Sequence, residues 1–415
     1  MKKDNTIYKY SVLVSSLLAV FLLLIFFRST DFFIDIFGLS FRPYFLLIVP
    51  LFLLLKVKYN RSEFNRMTTA TFLWLIVLST GLLPIIFFDV STDYSAVTKN
   101  VFLVVIQWAT FGIVGFSLLS CDKAVLKRSI ENILPFIVVP PLLMFAINGA
   151  IHFGETNTTY LGVFLGHDGL PRAMGFFSDP NYFSLYMMGI LYIVFLLNRG
   201  SIMPRKTQIY VLVIIANVLF SFSRSGIAVL VLFLLLCGLF RLIKVKKFFY
   251  ALLIVFATAS LFNNYIYTTV VNKFLQKDGS SSERFELILI GLNAPLNHPL
   301  GVGVGNEIYY YEQYYGTQKL AHNDFLTVLI ECGIIGVLAY LAIYLILFFY
   351  TKCKLARICV LCFMLHLCTL SGYSYDPIIP VFVCFVCYIS NIVPNRKPPD
   401  IFEESKFISA VAKKI

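Results

Sequence analysis

The sequence predicts an all-α integral membrane protein with about 12 transmembrane helices and both termini cytoplasmic. Three observations predict it. The 415 residues are 59% apolar and only 13% charged, with a mean hydropathy of +0.82. Soluble chains are about 45–50% apolar and about 25% charged. The apolar residues gather into stretches suited to a bilayer core about 30 Å thick, which takes roughly 20 residues of helix to cross. None of the stretches alternates apolar with polar residues as the strands of an outer-membrane barrel do, so no segment reads as a strand. A soluble enzyme, a disordered tail and a secreted disulfide module are excluded.

In chain order the spans read 8–27, 41–55, 68–88, 100–119, 133–151, 181–197, 208–223, 225–240, 248–263, 325–350, 357–370 and 378–393. The first follows Met1-Lys2-Lys3 as a signal peptide would. It is too long for a typical signal core, and Phe27-Arg28-Ser29-Thr30 offers no small-x-small cleavage site, so it is kept as a helix. Arg42 and Pro43 weaken the start of the second. With both ends on one side, the inner segments hold most of the 34 Lys and Arg, and the outer segments most of the 22 Asp and Glu. The Lys/Arg bias sets orientation. The formal charge of +12 is therefore a topology signal with affinity for anionic lipid, and no nucleic-acid partner is expected.

Two outer connections are long, at 152–180 and 264–324. The chain thus divides into an N-terminal bundle (1–151), a core with both long loops (152–350), C-terminal helices (351–393) and a cytoplasmic tail (394–415). Chemistry is expected where the long loops meet the bundle.

Arg224 stands in Ser221-Phe222-Ser223-Arg224-Ser225-Gly226, between two apolar runs of 15 residues. As helix each run reaches only about 22 Å, so the turn should lie several ångströms below the outer surface. A charge at that depth faces a polar cavity or snorkels to headgroups. Arg284 follows Asp278-Gly279-Ser280-Ser281-Ser282-Glu283 and opens Phe285-Glu286-Leu287-Ile288-Leu289-Ile290, a candidate interfacial helix. It is otherwise a solvated cation beside Glu283. Arg172 precedes Asp179-Pro180-Asn181, where Asp179 suits a helix cap.

His322, in Ala321-His322-Asn323-Asp324, is placed for general-base work at a water–membrane boundary, or simply caps the span at 325–350. Asn323 and Asp324 are further caps. Glu331 lies a turn or two further in, where an acid orients a cation or faces water. The pairs Cys359-x-x-Cys362 and Cys384-x-x-Cys387 sit in apolar runs, where cysteine behaves as a small hydrophobe, so no metal is expected. The Tyr309–Tyr315 run reads as an interfacial aromatic belt or a sugar-stacking surface. Gly301-x-Gly303-x-Gly305 has no strand before it and is no dinucleotide fingerprint.

Taken in order, these motifs resemble the O-antigen ligase and Wzy polymerase superfamily. The match runs through Arg172-x-x-Gly175-x-x-x-Asp179-Pro180-Asn181, Ser221-x-Ser223-Arg224-Ser225-Gly226, Ser282-x-Arg284, Pro299-Leu300-Gly301-x-Gly303 and Ala321-His322-Asn323-Asp324 … Glu331-x-Gly333. The resemblance covers about 170–340. It implies a glycosyltransferase at the outer face of the bacterial inner membrane, with a glycan on undecaprenyl diphosphate as donor and no metal or cofactor. Arginines at the Arg224 and Arg284 positions would hold the diphosphate, with His322 acting beside them. Arg172, Asp179, Asn181, Asn323, Asp324 and Glu331 would complete the substrate site. The resemblance favours a polymerase joining repeat units of O-antigen, capsule or exopolysaccharide over a ligase charging lipid A core. Membrane lipid, a flippase and a chain-length regulator would be its partners. A transporter or lipid-linked glycan flippase is the alternative class, though polarity here gathers in loops rather than at mid-span between repeats.

The topology makes a direct prediction. In a background lacking the nine native cysteines, a membrane-impermeant thiol reagent should label a cysteine at Ser281 in intact cells. Labelling only after permeabilisation would invert the topology and with it every site assignment.

Overall fold

The computed structural model describes residues 2–26, 34–36, 39–41, 46–54, 61–87, 94–165, 171–199, 203–240, 242, 279–370 and 376–389. The span read at 248–263, most of the connection 264–278 and the tail 394–415 lie outside the described residues.

The architecture is mostly helical. Helix α1 (Lys2–Phe26) leads to a hairpin of β1 (Ile34–Ile36) and β2 (Leu39–Phe41), then a short α2 (Ile48–Leu53). Next come α3 (Arg61–Phe87), α4 (Tyr94–Leu119) and α5 (Lys123–Ile151). An antiparallel sheet, β3 (Thr158–Tyr160), β4 (Gly162–Leu165) and β5 (Pro171–Gly175), precedes α6 (Pro180–Leu197), α7 (Arg205–Phe220) and α8 (Arg224–Leu239). The last group is α9 (Gly279–Leu292), α10 (Ala294–Asn297), α11 (Glu307–Tyr315), α12 (Asp324–Tyr350), α13 (Lys354–Leu367) and α14 (Ile378–Ile389).

One expectation changes. The chain is not purely α-helical: the strands are three to five residues long and sit in connections, too short to leave an alternating pattern in the sequence. Among the described residues five helices are long and apolar enough to cross a membrane: the windows Tyr8–Ile25, Glu63–Ile85, Lys123–Ile151, Pro180–Leu197 and Asp324–Tyr350. Trp108–Leu119, Arg224–Leu239 and Ile378–Ile389 are apolar but shorter. Among the described residues of the segment read at 41–55, the only α-helix is the six-residue α2.

Helix α6 is the axis of the bundle. It is apolar on every side, and Phe183 through Leu196 are buried without interruption. A helix with no polar face needs neighbours all round, and α7, α8, α13, α14 and β5 supply them. Its N-terminus is set by Asp179, whose carboxylate accepts the Asn181 amide at 2.6 Å, with Pro180 in the first turn.

The second organising contact is between α12, α3 and the connection before α11. Helix α12 breaks at Gly333, where φ is 68° and ψ −166°, a region open essentially to glycine alone. The break lets residues 299–303 dock backbone to backbone: Val302 donates to Ile330 O, Gly303 to Glu331 O (both 2.9 Å), and Ile334 to Pro299 O at 3.2 Å. A Cβ at Gly301 would collide with the Glu331 carbonyl, and one at Gly333 with Pro299. The same connection reaches α3, where Val304 donates to Gly81 O at 2.9 Å. Pro84 interrupts the α3 hydrogen-bond ladder just there. The Glu331 side chain completes the dock, its Oε1 accepting the Gly305 amide at 2.8 Å and the Glu307 amide at 3.4 Å. Loop amides are thus partners of Glu331 that sequence reading did not suggest.

Gly301→Ala and Gly333→Ala should each cost at least ~1–3 kcal/mol, the usual range for backbone strain, read as a lowered melting temperature of detergent-solubilised protein. Gly112→Ala, with nothing within 4 Å of its added Cβ, is the control and should melt no lower than the parent. Unchanged melting of both clasp variants would refute the dock.

Candidate active site

The motif residues gather at helix N-termini. Asp179 caps α6. Ser223 caps α8, accepting the Gly226 amide, and Arg224 is the first residue of that helix. Asn323 caps α12, its side chain accepting the Leu326 amide at 3.2 Å, and His322 stands just before it. Arg284 lies in the second turn of α9. Helix N-termini present orphan amides and the positive end of the macrodipole, a setting that favours anions.

Specific contacts draw these ends together. Arg172, on β5, donates from Nε to the Ser221 carbonyl at 3.0 Å, tying the sheet to the turn that carries Arg224. A Cβ on Gly226 would meet the Ser184 hydroxyl at 2.6 Å, so the first turn of α8 lies hard against the first turn of α6. Ser184 is braced in turn by the Asn181 carbonyl at 2.7 Å and by His366 Nε2 of α13 at 3.2 Å. Across the N-terminus of α6, Asp179 is close enough to His322 to favour its protonated form. From the other side Arg284 favours the neutral imidazole. Arg172, Arg224, Asp179, His322 and Arg284 therefore belong to one neighbourhood.

The turns that present these groups are strained. Phe222 (φ 46°) and His322 (φ 51°) hold left-handed backbone that non-glycine residues rarely adopt, and Gly175 (φ 56°) ends the Arg172 strand. Asn157 is the other such non-glycine residue among those described. Strain of this kind costs about 1–3 kcal/mol per residue and collects where geometry serves function.

His322 is exposed, and its pKa is lowered from 6.5, first by desolvation and then by the Arg284 guanidinium. The ring is neutral at pH 7 and able to accept a proton. The other described histidines are placed differently. His152 stacks on Tyr160 at 3.5 Å and pairs with Glu155, His298 meets the Tyr310 ring edge-on, and His366 is buried beneath Ser184. His167 lies outside the described residues. Arg284 is half-buried. Its neighbour Glu283 binds Lys319 at 2.8 Å, an ion pair that fastens α9 to the segment leading to His322.

Other candidates serve the scaffold. Asp324 is fully buried and accepts a hydrogen bond from Tyr340, whose oxygen in turn accepts from Tyr344. Its carboxylate is directed to the core rather than to the His322 turn. Asn323 and Asp179 cap α12 and α6, as the sequence allowed for both. Asn181, half-buried, holds the N-terminus of α6 through its backbone. Of the tyrosine run, Tyr310 and Tyr311 are not at a surface: both are buried, donating to the Ile290 and Leu287 carbonyls of α9.

Sequence reading missed Glu307. It is buried at the start of α11, and its Oε1 accepts the Ala321 amide at 2.8 Å, one residue before His322. A glutamate in a tyrosine-rich polar segment gives no local sign of this role. Ser184 and His366 were likewise hidden, separated by 182 residues.

No curated protein matches the chain. Residues 209–341, which hold Arg224, Arg284, the glycine dock and His322, match the family model described as O-Antigen ligase. That segment, about a third of the chain, is what is similar to the O-antigen ligase family.

Proposed function

We propose that the chain is a membrane glycosyltransferase of the bacterial inner membrane that takes a glycan from undecaprenyl diphosphate at the outer face. The observation that carries this reading is the gathering of Arg172, the Arg224 turn, Arg284 and a neutral His322 at helix N-termini. A diphosphate leaving group needs its charge neutralised, and bidentate guanidinium groups do that better than a point charge. The acceptor hydroxyl attacks the anomeric carbon and the bond to the diphosphate oxygen breaks. The diphosphate leaves on its lipid against Arg224 and Arg284, and the hydroxyl proton passes to His322.

In the reading favoured here the acceptor is a second lipid-linked repeat unit, as Asp179-Pro180-Asn181 and the long 264–324 segment suggest, which makes the enzyme a polymerase. The matched family model fits the ligase reading and the polymerase reading alike. Purified protein given the lipid-linked repeat unit, alone or with lipid A core, separates them. A ladder of chain lengths without core supports polymerisation, and product only with core supports ligation.

Arg224→Ala and Arg284→Ala should each abolish product at matched membrane levels, with lysine restoring only part. Full activity of either alanine variant would remove that arginine from the clamp. His322→Gln should slow turnover roughly 10²–10⁴-fold, the usual loss for a general base, while donor binding persists. Because the His322 pKa lies below 6.5, the wild-type rate should hold at pH 7 and fall only at more acid pH, as the ring protonates. A glutamine variant of near-normal rate would reduce His322 to a positioning role.

A further inference from the structure

We infer that Glu307 is a positioning residue whose buried carboxyl holds the His322 turn in its working conformation through the Ala321 amide. The inference rests on the reading of His322 as the base, and its geometry is independent of it.

His322 sits in left-handed backbone, which the turn must be held into. The Ala321 amide supplies the hold, donating to Glu307 Oε1 at 2.8 Å inside a buried contact. Glu307 is fixed in turn by its own amide, which donates to Glu331 Oε1 at 3.4 Å, and Glu331 belongs to the dock at the α12 break. A continuous path thus runs from the helix break through two carboxyl groups to the His322 backbone. A second tie, the Glu283–Lys319 ion pair, lies at the exposed rim, where such pairs contribute little.

The surroundings of Glu307 favour its uncharged form. From α12 it is faced by the carboxylates of Glu331 and Asp324 and by the Thr327 hydroxyl, and on its own helix it lies near the Tyr311 phenol. The acids of α9 turn elsewhere, Glu283 to Lys319 and Glu286 to Tyr315. Burial first, and Glu331 second, raise the Glu307 pKa from 4.5 to about 8. A carboxyl raised in the folded state gives stability that is complete below its unfolded pKa and is lost as pH rises through the folded one. Ionisation near pH 8 therefore places a charge in this buried contact, beside the Glu331 and Asp324 carboxyl groups, and loosens the turn.

The test is made on the full-length protein in nanodiscs. Hydrogen–deuterium exchange of residues 320–323, expressed as protection over the intrinsic rate, should fall by up to about tenfold per pH unit between the solvated pKa of 4.5 and about pH 8, and level off above it, where the closed and open forms are both ionised. Glu307→Gln keeps an oxygen for the Ala321 amide and cannot ionise, so its protection should stay flat to pH 9. In the transfer assay, wild-type kcat should show an alkaline limb near pH 8 that Glu307→Gln lacks, each enzyme normalised to its own rate at pH 7. Glu307→Ala should lower kcat on the order of tenfold to a hundredfold, the scale of a small misplacement, with donor KM nearly unchanged. An exchange profile or alkaline limb identical in wild type and Glu307→Gln would overturn the proposal. So would an alanine variant with wild-type kcat. A His322→Gln enzyme of normal rate would refute the base reading, while the exchange profile would still decide the role of Glu307.

Discussion

The break in α12 at Gly333 is the constraint on which the motif-bearing end of the molecule depends. An unbroken helix would keep its carbonyls for itself. Here Ile330 and Glu331 turn theirs to Val302 and Gly303, and Pro299 takes the Ile334 amide. The contact is made of backbone, so it tolerates no Cβ on either side. What it orders is larger than itself: the dock sets the start of α11, α11 sets Glu307, and Glu307 holds the amide beside His322. On its other flank the same segment is fastened to α3 through Gly81. A glycine pair 32 positions apart thus governs the pose of a residue that neither touches.

Around this anchor the site is assembled from helix ends. Asp179, Arg224, Arg284 and His322 each lie within a few residues of a helix start, so helix N-termini and guanidinium groups meet there. The arrangement answers a particular problem of membranes. Charge within an apolar medium is costly, and dipoles and cations set beforehand around an anion offset that cost without moving when it arrives. The fully buried α6 keeps the frame stiff: Asp179 and Ser184 ride on a helix packed on all sides, with His366 wedged behind them.

Much of this site was legible because charge stands out in an apolar sequence. Arg172, Arg224, Arg284 and His322 are noticed as polar residues at the borders of apolar runs, and the structure brings them together. Contacts between distant backbone segments were not legible. Gly301 and Gly333 look like any loop and helix glycines, and nothing near Glu331 in sequence announces that it will accept the Gly305 amide. Buried acids misled in the other direction, since Asp324 looks available beside His322 and is instead held by Tyr340. The helical segments were read to within a few residues where composition was uniform, as at 180–197 and 324–350. At 41–55 the described residues show one short helix, and the three- to five-residue strands had too little length to show a period of two.

The division of α12 has a consequence for the lipid around it. Its 27 residues would measure about 40 Å as one rod, well beyond the bilayer core of about 30 Å. The part before Gly333 is clothed by α9, α11 and the docked segment. Exposed apolar side chains, Ile334, Ile335 and Leu338, begin directly after it. The lipid-facing length is therefore about 25 Å. Such a stretch is matched to a thin bilayer, and a thicker one would have to dimple toward the break rather than stretch the helix. Local thinning of that kind would shorten the path from the headgroup layer to the cations at the helix ends.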